Sequence, residues 1–389
     1  MSGAHDTPLT TAFRAKLAIL HSDSLIQLRI RHDMSSKRIL LDPLKRSPAV
    51  REFEDALRSK IIGQDEAVAQ FVGIYQTFRA GMSSPGRPVA NLLLLGPTGS
   101  GKTRIVEAAA EILFGDRGAF TKVDCAEFQH SHEIAKLLGS PPGYLGHRET
   151  KPVLTQDSID QFQTETLKLN FLLFDEIEKA SDALWQLLLA VLDKGVLTLG
   201  DNTKVDLSRT VVFMTSNLGS GEMSRLLGGG IGFVSAKGSE TESALSQKMF
   251  RVAVDAAKRR FSPEFMNRID KVIVFRTLTP RDLQLILDLE LTEVYNRILS
   301  TQGDRNFKLQ VTQDAKEFLL KEGTDAKYGA RHLKRAIERY LIFPLSSLIS
   351  TSQIDPGESV RVTVSTDGDA LSFSKDESNP RSDSEGHSS

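Results

Sequence analysis

Cysteine occurs once in the 389 residues, at Cys125, which excludes an intramolecular disulfide framework and fits a reducing compartment. Long apolar runs are missing as well. The longest, such as 91–95, are strand-sized and far short of the roughly 20 residues that a membrane-spanning helix needs. The N-terminal stretch MSGAHDTPLTTAFRAKLAIL has no apolar core of signal-peptide type, and Asp6 and Asp23 argue against a transit peptide. A cytoplasmic protein without membrane contact is the expectation. Charge of one sign is also scarce: 49 Lys and Arg against 50 Asp and Glu leave a net charge of −1, so no global basic field points to nucleic acid. What is present, 40% apolar and 25% charged residues, is ordinary for a globular chain long enough for two or three domains.

Residues 1–50 mix charge with short apolar patches (Leu25, Ile26, Leu28, Ile30) and close on Pro43 and Pro48, reading as a helical lead-in. The next part, 51–276, has strand-like runs at 89–95, 119–123, 169–174 and 210–215, each followed by a turn and a helix-period stretch. That alternation predicts an α/β unit with a parallel sheet flanked by helices. A smaller α+β unit, 277–373, opens where Thr279-Pro280 supplies a cap and a proline at the first helical position. Helical runs follow at 281–298, 314–322 and 330–350, with alternating stretches at 307–311 and 359–364 that suit paired strands. The stretch 219–242, rich in Gly and Ser, reads as a long mobile loop, and 374–389 lacks apolar residues and reads as a disordered tail.

Gly96-Pro97-Thr98-Gly99-Ser100-Gly101-Lys102-Thr103 lies between an apolar strand and a helical run. Glycines let such a backbone curl so that its N–H groups face inward, and the helix start adds the positive end of its dipole. In this pattern Lys102 reaches the β- and γ-phosphates of ATP and the Thr103 hydroxyl serves Mg²⁺. A second apolar strand ends in Asp175-Glu176. In a nucleotide site Asp175 would hold Mg²⁺ through its water shell and Glu176 would polarise the attacking water, since hydrolysis needs both charge neutralisation and an oriented nucleophile. The plainer alternative is that the two acids cap the helix that follows, whose N-terminus favours negative charge.

Together with further motifs, these resemble the second ATPase module of the Clp/Hsp100 unfoldases, of the AAA+ type, over roughly 59–373. The resemblance implies a P-loop AAA+ fold with a C-terminal lid domain. Ile61-Ile62-Gly63-Gln64-Asp65-Glu66 is similar to the segment that packs around adenine, with Ile61 and Ile62 as its apolar wall. Thr215-Ser216-Asn217 resembles sensor 1, in which Asn217 positions the lytic water. Pro263-Glu264-Phe265-Met266-Asn267-Arg268-Ile269-Asp270 resembles the segment whose arginine, here Arg268, acts as a finger on the ATP of a neighbouring subunit; its alternative is a surface arginine paired with Asp270. A finger given in trans implies a homo-oligomeric ring, in this family a hexamer. Tyr328-Gly329-Ala330-Arg331 resembles sensor 2, with Arg331 on the γ-phosphate, and a basic residue at a helix N-terminus is otherwise unfavourable.

Gly139-Ser140-Pro141-Pro142-Gly143-Tyr144-Leu145-Gly146-His147 cannot continue a helix or strand and suits a protruding loop. It resembles the family's axial pore loop, in which Tyr144 and Leu145 would grip unfolded or tagged polypeptide; His147 has no evident partner and reads as loop surface. Ile231-Gly232-Phe233 resembles the tripeptide with which ClpA, ClpC and ClpX dock a ClpP-like peptidase. The function implied is an ATP-driven protein unfoldase. Two other readings use the same ATP site: an AAA+ loader acting on nucleic acid, and a scaffold that ATP only assembles.

Overall fold

The computed structural model describes residues 40–140, 152–227, 242–302, 307–324 and 329–375. Contacts divide the chain into two units, 1–47 and 48–389. Of the first, 40–47 are described, and there the Asp42 carboxylate accepts the Leu44 N–H at 2.9 Å in a short turn. The second holds everything that follows.

A five-stranded parallel sheet forms its larger part, in the order β2 (Thr121–Asp124), β3 (Asn170–Asp175), β6 (Thr210–Ser216), β1 (Ala90–Leu95) and β7 (Lys271–Val274), with β4 (Val196–Thr198) and β5 (Lys204–Asp206) forming a separate antiparallel pair. Helices cover both faces, so the central strands have no polar side. β1 reads ANLLLL and β6 reads TVVFMTS, and both are buried throughout. Alternate residues serve two cores: Leu92, Leu94, Phe171, Leu173 and Phe213 face one, while Leu93, Leu95, Leu172, Phe174 and Met214 face the other. The helices Pro48–Lys60 and Asp65–Arg79 close the first face through Phe53, Phe71 and Tyr75, and Phe71 meets Phe171 and Phe213 at ring distances of 5.9 and 5.5 Å.

The smaller part has its own core around Leu287, Leu319, Leu333, Leu341 and Val362. The helices Pro280–Gln302 and Gln313–Gly323 pack with a long helical run beside a second sheet of three strands. β8 (Lys308–Val311) and β9 (Ser359–Val364) pair in parallel, whereas β10 (Leu371–Lys375) is antiparallel to β9.

Several expectations need correction. The helix Pro48–Lys60 crosses the limit set at residue 50, because Val50, Phe53 and Leu57 bury together. The stretch expected as one loop from 219 opens with a helix, Ser220–Leu227, anchored by buried Met223; 228–241 lie outside the described residues. The run 330–350 is not a single α-helix: Ala330–Ile337 passes through a π turn, Glu338–Ile342, into Phe343–Ser350. Pro344 has no N–H for the carbonyl four residues back, and a wider turn absorbs the missing bond. The tail does not start at Ser374, which lies in β10 and pairs with Arg361 of β9. Among the described residues no helix is long and apolar enough to cross a membrane.

Candidate active site

Strands β3, β6 and β1 are neighbours, and their carboxyl ends place three sequence motifs side by side, the position at which parallel α/β sheets bind ligands. The loop after β1 takes backbone angles that suit glycine: Gly96, Gly99 and Gly101 have φ of 146°, 74° and 104°. A Cβ on Gly96 would also lie 2.6 Å from the Phe275 carbonyl oxygen. Gly101 caps the helix Lys102–Phe114, whose first residue turns its side chain back into the loop. The Lys102 Nζ donates to the carbonyls of Gly96 (2.7 Å) and Pro97 (2.9 Å) and to Asn217 Oδ1 (2.7 Å). Burial lowers the Lys102 ammonium to about 8, opposed by the nearby charges of Glu178 and Asp175.

Asp175 is clamped from both sides. Its Oδ1 accepts the Thr215 hydroxyl and its Oδ2 faces Lys122 Nζ at 2.7 Å, from the next strand. Burial works against its charge, yet the hydrogen bonds from Lys122 and Thr215 hold the carboxyl below the usual aspartate range. Lys122 was not singled out from sequence, and Thr215 only as part of the motif that ends in Asn217. Glu176 turns away from the strand into left-handed backbone, φ 56° and ψ 49°, with its N–H on Thr215 Oγ1 at 3.0 Å. Its carboxylate stays partly open to the cleft, against Lys179. Glu176 stands at the N-cap of the short turn Ile177–Lys179 but makes no side-chain capping bond there, and the Asp175 carboxylate is taken by Thr215 and Lys122. Asn217 is tied at both ends, its N–H reaching Glu178 Oε1 at 3.2 Å.

The opposite wall comes from the smaller part. Ala330 N–H approaches the Gly99 carbonyl at 3.3 Å, Arg331 faces the cleft from the next position, and Lys334 is paired with Glu290 at 2.8 Å. Arg104 and Glu293 join the two parts at 2.6 Å. Ile61 and Ile62 line an apolar end, faced by Leu278, Ile286 and Leu289. Buried Gln64, also not singled out, donates to the carbonyls of Ser100 and Arg276, both at 3.0 Å, and accepts the Arg276 N–H at 3.1 Å. It thereby fixes the phosphate loop to the segment leading out of β7. Arg276 in turn pairs with Asp282 at 2.7 Å, and Asp282 accepts the Thr279 N–H and hydroxyl.

The cleft encloses about 280 Å³, basic and glycine-lined at one end and apolar at the other. That polarity fits a nucleoside triphosphate. Within it the buried Ser100 hydroxyl has no partner among the described residues. The Thr103 hydroxyl and the Asp175 carboxylate share the cleft and are hard oxygen donors of the kind Mg²⁺ takes.

Arg268 is not part of this cleft. It pairs with Glu264 at 3.2 Å, lies 3.9 Å from Asp193, and has its carbonyl held by Asn91 Nδ2 at 3.0 Å. The alternative pairing with Asp270 is overturned, since Asp270 bonds instead to Arg87 and to the Asn91 N–H. Tyr144, Leu145, His147, Ile231, Gly232, Phe233 and Tyr328 lie outside the described residues.

A five-stranded parallel sheet with this phosphate loop, an acidic strand end and a basic lid defines a AAA+ ATPase module. Family models agree: an AAA domain (Cdc48 subfamily) matches 87–272, and the C-terminal D2-small domain of ClpB protein matches 278–362. The chain belongs to the Clp/Hsp100 family of AAA+ proteins. Chaperone protein ClpB of Aquifex aeolicus is 38% identical over 329 residues, covering 84% of this chain and 30% of the relative. A ClpA homolog of Porphyra purpurea, described as an ATP-dependent Clp protease ATP-binding subunit, is 36% identical over 83% of this chain and 38% of its own. The chain thus spans about a third of the length of these curated relatives. Among solved structures, an extended S. cerevisiae Hsp104–casein complex matches with a TM-score of 0.69 at 31% identity, over 85% of this chain and 53% of that one. A closed-state Hsp104 reconstruction with ATPγS and FITC-casein matches with a TM-score of 0.67 over the same shares.

Proposed function

We propose that this protein hydrolyses ATP to drive unfolded or tagged polypeptide through a ring of its own copies. In this reading 51–276 is the motor body and 277–373 the lid. One observation carries the ATPase reading: Lys102, Asp175, Glu176, Asn217 and Arg331 come from distant segments and line one cleft of nucleotide size.

Lys102, already held against the loop carbonyls and Asn217, exchanges those partners for phosphate oxygens as the triphosphate enters. Thr103 and Asp175 are the residues that would hold Mg²⁺, whose part is to neutralise phosphate charge. Glu176, half-open to solvent beside the fully engaged Asp175, accepts hydrogen-bond contact from the attacking water and orients it. Asn217 fixes the position of that water, and Arg331 answers the charge on the γ-phosphate from the lid. Arg268, turned away from its own cleft and paired with exposed acids, is available to a neighbouring copy. That geometry supports assembly into a ring, with six copies the number known in the family.

Tyr144 and Leu145 are the proposed grip on substrate. Casein in the two Hsp104 structures supports a polypeptide over nucleic acid as the thing moved. Ile231-Gly232-Phe233 is proposed as the dock for a ClpP-like peptidase, in keeping with the protease-subunit description of the ClpA homolog. The setting proposed is the cytoplasm.

The test is ATP turnover by the purified chain with and without casein. Stimulation by casein that Tyr144→Ala abolishes, with basal turnover retained, is the expected result. Stimulation by single-stranded DNA and not by casein would sink the polypeptide reading, and absence of turnover would sink the ATPase.

A further inference from the structure

Glu176 is a non-glycine residue in left-handed backbone, a conformation that costs on the order of 1–3 kcal/mol and persists only where neighbours over-determine it. The inner side of its turn is held by Thr215 and by the turn's own bonds, Lys179 N–H to the Glu176 carbonyl (2.9 Å) and Ala180 N–H to the Ile177 carbonyl (3.2 Å). Its outer side is held by two side chains from elsewhere. The Trp185 indole Nε1–H donates to the Ile177 carbonyl at 3.1 Å, and the Arg260 guanidinium donates to the Glu178 carbonyl at 2.9 Å. The same guanidinium lies 4.3 Å from the centre of the Trp185 ring, so each brace steadies the other.

The indole has a second neighbour. Phe261 meets it edge-on at 5.7 Å and contacts Phe265 at 5.1 Å. Phe265 sits in the short helix Pro263–Met266, capped by Ser262, and its carbonyl accepts the Arg268 N–H at 3.0 Å. One tryptophan therefore braces the turn that aims Glu176 and connects, through Phe261 and Phe265, to the segment that carries Arg268.

We infer that Trp185 and Arg260 are positioning residues that set the aim of Glu176 and link it to the Arg268 segment. This rests on the reading of Glu176 as the group that orients water. Neither residue touches the nucleotide cleft, so their loss acts on the chemical step and not on binding. Trp185 is also the only tryptophan of the chain, so its fluorescence reports on the turn without labelling.

Steady-state ATP turnover of the full chain is measured for wild type, Trp185→Phe, Arg260→Met, Arg260→Lys and Glu176→Gln, beside the affinity for a fluorescent ATP analogue. Trp185→Phe and Arg260→Met are expected to lower kcat on the order of 3- to 10-fold, the scale of one lost hydrogen bond, with KM and analogue affinity unchanged. Arg260→Lys, which keeps a donor and a cation over the ring, is expected to recover most of the loss. Trp185 emission is expected to change when ATP is added to Glu176→Gln. Unchanged kcat in both variants, or a fall in kcat that comes with an equal loss of nucleotide affinity, would overturn the inference. Arg260 is exposed, so Arg260→Met decides the matter even where Trp185→Phe folds poorly. Normal hydrolysis by Glu176→Gln would instead overturn the underlying reading of Glu176.

Discussion

On the sheet side of the cleft three groups are buried or half-buried and bonded at least twice: Lys102 to three acceptors, Asp175 to Lys122 and Thr215, Asn217 to Lys102 and Glu178. On the lid side the contacts are fewer and wetter. Arg331 is exposed, and the joints to the body are ion pairs such as Arg104–Glu293, whose side chains are 20% and 37% exposed. Burial opposes the charge of Glu293, and Arg104 and Arg117 between them still hold it below the usual range. Chemistry that must recur identically is built on rigid strand ends, while the part that must move is held by bonds that water and salt can loosen.

Four perturbations break or sharpen that contrast. The largest effect is expected from Lys102→Ala, which removes the central cation of the rigid side; saturable binding of a fluorescent ATP analogue should disappear. Glu176→Gln should bind the analogue normally and turn over ATP slower by on the order of 10²–10⁴, as the loss of a water-orienting base requires. Third comes a pH effect. Lys102 is held at about 8 in the fold and returns to its ordinary 10.5 on unfolding, so between those values the unfolded chain binds more protons. Nucleotide-free wild type should therefore gain stability relative to Lys102→Met as pH rises from 8 to 10.5, by about 3 kcal/mol, read from paired denaturant titrations. A flat difference across that window would contradict the burial of the ammonium. Smallest is the lid: Glu293→Gln should cost less than about 1 kcal/mol, and the cost should vanish in high salt.

The parts of the site that are contiguous in sequence were legible there. The phosphate loop, the acid pair and the strand-ending Asn217 each carry their own local pattern, and the apolar strands before them set their place in the sheet. Parts assembled from far along the chain were not. Gln64 meets Arg276 across 212 residues, and Lys122 meets Asp175 only because β2 and β3 are neighbours in register. Gln64 looks like a surface residue until the fold buries it, and Lys122 stays on the surface, its pairing with Asp175 visible only in the assembled sheet. β7 reads KVIV, an apolar run too short and too exposed to stand out beside the fully buried central strands. The direction of Arg268 was equally hidden, since whether a cation faces its own cleft or away from it depends on tertiary anchors such as Asn91.

Gly329, with φ 51° and ψ −140°, stands at the start of the Arg331 helix, and a Cβ there would lie 3.0 Å from the Gly99 carbonyl oxygen. The lid thus rests on the crest of the phosphate loop backbone to backbone, as a follower rests on a cam. Any rise or fall of that crest passes into the Arg331 helix undamped by side-chain rotamers, and a methyl group at 329 would act as a shim, propping the follower off its track.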